Sequence, residues 1–108
     1  MRIIQLIKVF LELNYWSLST SLVIIPTYNE IENIDSIIGA VFSLPVKFDI
    51  LIVDDGSPDG TGDQVELLIK RFPERLFLMK RQQKSGLGTA YIAGFKWALN
   101  RDYQYILE

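Results

Sequence analysis

Ile50-Leu51-Ile52-Val53-Asp54-Asp55-Gly56-Ser57-Pro58-Asp59-Gly60-Thr61 is the stretch on which the fold turns. Its first four residues form an unbroken apolar run, the pattern of a strand buried on both faces of a parallel sheet. Two carboxylates follow at once, then a turn-forming Gly-Ser-Pro-Asp-Gly. Helical periodicity starts at Thr61, with Val65, Leu68, Ile69 and Phe72 on one face. Adjacent acids at the tip of a buried strand are costly unless a ligand or a set of donors uses them. In open α/β sheets, the crevice at that strand end is where ligands bind. The stretch therefore predicts a strand, a binding loop and a helix in direct succession.

The same unit repeats on both sides. Leu22-Val23-Ile24-Ile25 reads as a strand closed by Pro26. Asn29 with Glu32 has the spacing of a capping box, ahead of an apolar helical face of Ile31, Ile34, Ile38, Val41 and Phe42. Thr61 with Gln64 has the same spacing. Leu76 to Met79 predicts a third strand, Lys80 to Gly88 a basic glycine-containing loop, and Thr89 to Asn100 a third helix. That helix is apolar nearly all round, through Tyr91, Ala93, Phe95, Trp97 and Leu99, and is expected to be buried on more than one side. Tyr103 to Leu107 starts a fourth strand. The order β-α-β-α-β-α-β with short connections implies right-handed crossovers and a Rossmann-like parallel sheet with helices on both faces.

Bulk properties agree and exclude much. The chain has 108 residues, one domain by length, with 49% apolar residues and a net charge of −2. No strong field draws it to nucleic acid. It has no cysteine and no histidine, which removes disulfides, thiolate nucleophiles and His-based triads or metal clusters. The absence of cysteine fits a reducing compartment. Residues 1–18 stand apart from the domain at 19–108: they are apolar but broken by Lys8, Glu12 and Asn14, too interrupted to span a bilayer. Two readings fit them, an extension packed on the domain and an amphipathic helix on a membrane surface.

Competing motifs fail on context. Asp55, Ser57, Asp59, Gly60 and Glu66 fall on positions of an EF-hand loop, but a strand precedes them where a helix is required. Gly86-Leu87-Gly88 lacks the third glycine of a dinucleotide fingerprint, since Tyr91 stands there. What remains is one sheet edge. It collects Pro26 to Glu30, the Asp54-Asp55 pair, and Lys80, Arg81 and Lys84. A ring, carboxylates and cations there suit a nucleotide. Asx-turns account for Asp59 and the glycines, but less well for two adjacent strand-tip acids.

Val23-Ile24-Ile25-Pro26-Thr27-Tyr28-Asn29-Glu30, together with Asp54 to Thr61, resembles the family 2 glycosyltransferases of the GT-A fold. Ser57-Pro58-Asp59-Gly60-Thr61 and Arg81 to Tyr91 narrow the resemblance to polyprenol (dolichyl) phosphate mannosyltransferases. It runs from Leu22 to Glu108 and makes these residues the nucleotide-binding half of such a domain. The resemblance implies transfer of mannose from GDP-mannose to a polyprenyl phosphate by an inverting displacement. By the same resemblance, Pro26, Tyr28 and Glu30 line the nucleoside pocket. Val53 and Asp55 contact base and ribose, Asp54 anchors the loop backbone, and Lys84 to Tyr91 borders the donor site.

The resemblance also implies a divalent metal, Mg or Mn, held by an Asp-x-Asp motif after the fourth strand. That motif is absent from this sequence, which ends at Glu108. The expectation is therefore a donor-binding fragment that transfers no sugar and that self-associates through a cut sheet edge. A lipid acceptor implies a cytoplasmic protein at the membrane face. The alternatives are glucosyl transfer from UDP-glucose by another family 2 enzyme, and a non-catalytic nucleotide-binding module.

Overall fold

The computed structural model describes residues 20–108, and Gln5 before them. The two readings of residues 1–18 lie outside the described part. The elements are β1 (Ser21–Thr27), α1 (Ile34–Phe42), β2 (Phe48–Asp54), α2 (Thr61–Ile69), β3 (Leu76–Lys80), α3 (Leu87–Leu99) and β4 (Tyr105–Leu107). All strand pairs are parallel, in the order β3-β2-β1-β4. The chain builds β1, β2 and β3 outward in one direction and then crosses to place β4 on the other side of β1. That reversal is the topological switch point of an open α/β sheet.

Strand alternation sorts the core into two layers. Val23 and Ile25 of β1, Ile50 and Ile52 of β2, and Leu76 of β3 face α1 and α2, where Ile34, Ile38, Val41, Val65 and Leu68 meet them. Leu22, Ile24, Leu51 and Val53 face the opposite way, onto Ala90 and Ala98 of α3. Both central strands are thus buried on both faces, which is why their sequences are apolar without alternation. Helices on both faces of a parallel sheet are the arrangement that the sequence implies.

Three local expectations are corrected. Pro26 does not close β1, which continues to Thr27. The Thr20 carbonyl accepts from Gln104 and Tyr105 at the start of β4, and the Thr27 carbonyl accepts from Asp55 on the β2 side. Pro26 shares the parity of Thr20, so its missing N–H lies on the β4 side. There β4 pairs only with Ser21–Val23, and no donor is needed at Pro26 among the described residues.

Neither capping box forms. Asn29 adopts a left-handed backbone (φ 54°), and α1 starts later, after Asn33. Ile31 is consequently exposed rather than part of the helix face. Thr61 is the first residue of α2 after a left-handed Gly60 (φ 92°), and Gln64 reaches Asp35 of α1 instead of its own cap, at 2.9 Å.

Helix α3 is buried on one side only. Ala90, Gly94 and Ala98 are its buried residues, while Ile92 and Leu99 are exposed. Small side chains every fourth residue let the helix lie close to β1. A Cβ at Gly94 would stand 2.8 Å from Cγ2 of Ile24. The aromatic residues flank this seam, with the Trp97 and Phe77 rings 5.1 Å apart.

Candidate functional site

The C-terminal strand ends of β1, β2 and β3 meet in register, with Thr27 opposite Asp54 and Asp54 opposite Lys80. Sheet alternation gives the two adjacent acids different surroundings. Asp54 shares the parity of Ile50 and Ile52 and turns toward the α2 layer, whereas Asp55 shares the parity of Val53 and turns toward α3. They are not a pair that works together.

Asp54 anchors the loop, as the resemblance implies. Its Oδ1 accepts from the Thr27 hydroxyl at 2.7 Å and the Ser57 hydroxyl at 2.6 Å, and its Oδ2 accepts from the Ser57 N–H at 3.0 Å. Only 3% of Asp54 is exposed, so these donors offset the cost of burying a charge.

Ser57, Asp59 and Thr61 have a role that the sequence reading misses. The successive N–H groups of Asn29, Glu30 and Ile31 donate to Ser57 Oγ, Thr61 Oγ1 and Asp59 Oδ2, at 2.9, 2.9 and 3.1 Å. Each hydroxyl passes its own proton onward, Ser57 to Asp54 and Thr61 to Asp59, so one donor and one acceptor are used at each oxygen. The loop after β2 is thereby a clamp on the backbone of the loop after β1. Its signal in the sequence is the spacing: the three hydrogen-bonding side chains alternate with Pro58 and Gly60.

Asp59 also closes an Asx-turn onto the Thr61 N–H at 3.0 Å. Burial works upward on its carboxyl, but the Thr61 hydroxyl and the Ile31 and Thr61 N–H groups outweigh it and hold the carboxyl below its ordinary value.

The cations of the loop after β3 divide three ways. Lys80 leaves the edge for α2, where its Nζ lies 2.7 Å from Glu66 and 3.3 Å from Asp63. Hydrogen bonds to Glu66 and then Asp63 hold its pKa above the usual lysine value. Arg81 takes Asp55 in a fork, Nε to Oδ1 at 2.6 Å and Nη2 to Oδ2 at 3.0 Å. The hydrogen bond to Asp55 raises the pKa of the guanidinium. Lys84 Nζ sits 4.8 Å over the Tyr28 ring.

Of the five residues assigned to the nucleoside, Tyr28 is the one that is exposed, at 39% for the residue. Pro26 lies in register with Val53, and Val53 itself is fully buried against α3. Val53 offers a ligand no surface; it carries Asp55 to the tip. The Glu30 carbonyl accepts from Asn33 and Ile34 and opens the turn into α1. Asp55 is 6% exposed, with both oxygens engaged by Arg81. A cleft of about 190 Å³ lies on the α2 side of the edge, lined by Asp54, Gly56, Ser57, Gly60, Gly62, Asp63, Lys80 and Arg81. None of the five, Pro26, Tyr28, Glu30, Val53 or Asp55, lines it.

The acids present do not suit a metal. Among the described residues no group of three or more Asp or Glu side chains could hold one. Asp54 is engaged by Thr27 and Ser57, and Asp55 is paired with the Arg81 guanidinium, a cation that disfavours a second positive charge beside it. No helix among the described residues is long and apolar enough to cross a membrane.

Known proteins resemble this chain in sequence and in fold. A polyprenol monophosphomannose synthase of Mycolicibacterium smegmatis is 51% identical over 88 residues, which are 82% of this chain and 33% of that protein. An undecaprenyl-phosphate mannosyltransferase of Micrococcus luteus is 46% identical over 81% of this chain and 35% of its own length. A dolichol-phosphate mannosyltransferase of Pyrococcus furiosus is 37% identical over 70% of this chain and 22% of its length. The chain therefore spans about a third or less of these relatives. Among solved structures, a mannosyltransferase of Pyrobaculum calidifontis in complex with GDP-Man and Mn2+ superposes with a TM-score of 0.69 at 26% identity, over 74% of this chain and 24% of that one. The family profile described as glycosyl transferase family 2 matches residues 22–107, and this chain belongs to that family.

Proposed function

We propose that these 108 residues form the donor-nucleotide-binding part of a mannosyltransferase acting on a polyprenyl phosphate, with GDP-mannose as donor. The identity of 51% to a polyprenol monophosphomannose synthase carries this reading. The edge geometry supports it: an open aromatic ring at Tyr28, a carboxylate at Asp55 and cations at Arg81 and Lys84 surround the ends of β1 and β2. In this reading Tyr28 packs on the base, Pro26 and Glu30 shape the pocket wall, and Asp55 accepts from guanine N–H groups or ribose hydroxyls. A carboxylate only accepts, so it favours a base edge that donates.

The transfer step is proposed for a polypeptide of the relatives' length. There the acceptor phosphate, with a second pKa of about 6, is already largely ionised near neutral pH and needs no dedicated base. A divalent metal belongs to that longer form in this reading, because the acids described here do not fit one. Its lipid acceptor would place the enzyme at a membrane surface.

Calorimetry on this chain with GDP, UDP and ADP tests the reading. GDP is expected to bind best, and Asp55→Ala to abolish that binding. Tighter binding of UDP would shift the assignment to a UDP-sugar donor. No binding of any nucleotide would leave an interaction module.

A further inference from the structure

Arg81 spans two parts of the site edge. Its N–H donates to the Asp54 carbonyl at 2.7 Å, which continues the β2–β3 ladder and fixes its backbone. Its side chain holds both oxygens of Asp55, at 2.6 and 3.0 Å, and the same Nη2 donates to Thr89 Oγ1 at 3.0 Å. The Thr89 hydroxyl in turn lies 2.9 Å from the Ser85 carbonyl and 2.8 Å from that of Gly86. A continuous path of hydrogen bonds therefore runs from the β2 tip to the first turn of α3.

We propose that Arg81 is a positioning residue for nucleoside recognition, setting the orientation of Asp55 and coupling its occupancy to the Ser85–Thr89 segment that opens α3. The proposal rests on the nucleoside role proposed for Asp55. A carboxylate offers about four lone-pair sites. The guanidinium fork occupies one on each oxygen and leaves the others for ligand donors. The fork also keeps the carboxylate from rotating, because two parallel bonds fix a plane where one would fix only a distance. Arg81 is itself held at three points, by the ladder, by Asp55 and by Thr89, so it does not need to leave Asp55 for a nucleoside to bind. A lysine here would keep the charge and lose the fork.

The test uses the whole chain, GDP as probe and four variants. By calorimetry, Arg81→Lys is expected to weaken GDP binding about 10-fold or more, by analogy with the loss of groups that orient metal ligands. Asp55→Asn is expected to weaken it as well, and the double variant to lose no more than Asp55→Asn alone, because Arg81 acts through Asp55. In amide NMR spectra, saturating GDP is expected to shift Gly86 and Thr89 in the unmodified chain and not in Arg81→Lys. Losses that multiply in the double variant would mean that Arg81 touches the ligand itself, and would overturn the proposal. Unchanged affinity in Arg81→Lys would do the same. Unchanged affinity in Asp55→Asn would instead remove the nucleoside reading of Asp55, and the proposal with it. Should Arg81→Lys fail to fold, Thr89→Val decides, since it alters only the exposed end of the path. Unchanged GDP affinity with unchanged Gly86 shifts would then overturn the coupling.

Discussion

Asp54 and Asp55 are covalent neighbours that have separate partners because a strand points successive side chains to opposite faces. Asp54 accepts three hydrogen bonds from Thr27 and Ser57 in an almost fully buried position. Asp54→Ala strands the buried Thr27 hydroxyl, and an unsatisfied buried group costs about 1–3 kcal/mol, while the half-buried Ser57 donors lose their partner as well. Denaturant unfolding is expected to show a loss of at least that size, with the Tyr28–Ile31 segment losing amide-exchange protection. Asp55→Ala is expected to behave differently, with GDP binding gone and a smaller loss of stability, because Arg81 has Thr89 and solvent to turn to. Equal stability losses in the two variants would contradict this division. The sequence already placed both acids at a strand tip, and the resemblance already gave Asp54 to the loop. The direction of each side chain followed only from the sheet.

At the scale of elements, the strands and helices follow from apolar periodicity, and their ends follow from contacts made elsewhere. Asn29-x-x-Glu32 and Thr61-x-x-Gln64 both have capping-box spacing, yet neither closes. The Thr61 hydroxyl and the Asn29 N–H are taken by the clamp between the two loops, and Gln64 by Asp35. A local pattern lost to partners some thirty residues away, which a reading by spacing cannot see. The seam between α3 and β1 is another case. At Gly94, replacing Gly by Ala in a helix interior gains roughly 1 kcal/mol of propensity. The new Cβ would stand 2.8 Å from Ile24, which lies in the buried core. Valine adds bulk and β-branching, so Gly94→Val is expected to lose about 1–3 kcal/mol by overpacking. An unfolding midpoint at or above that of the unmodified chain would show that the seam yields easily.

For the whole molecule, the sheet order leaves β3 and β4 at the edges, with no further strand beside either among the described residues. On α3, Leu87, Ile92 and Leu99 are exposed. Open strand edges and apolar helix faces favour association. Sedimentation is expected to show concentration-dependent self-association of this chain, and a clean monomer at high concentration would contradict it. The three-way division of the basic loop is also a whole-molecule result. Lys80 is drawn to the acids of α2, Arg81 to Asp55, and Lys84 to the Tyr28 ring, so the cations do not form one patch.

By itself the sequence determined the parallel α/β sheet, the family and the strand-end edge where the carboxylates and cations gather, because those are carried by apolar runs and contiguous motifs. The tertiary structure alone decided which acid faces which layer, that Ser57, Asp59 and Thr61 clamp the loop of Tyr28, and that Arg81 ties Asp55 to α3. These depend on strand parity and on hydrogen bonds between residues distant in the chain. Such bonds form only once the sheet has brought their donors and acceptors within reach.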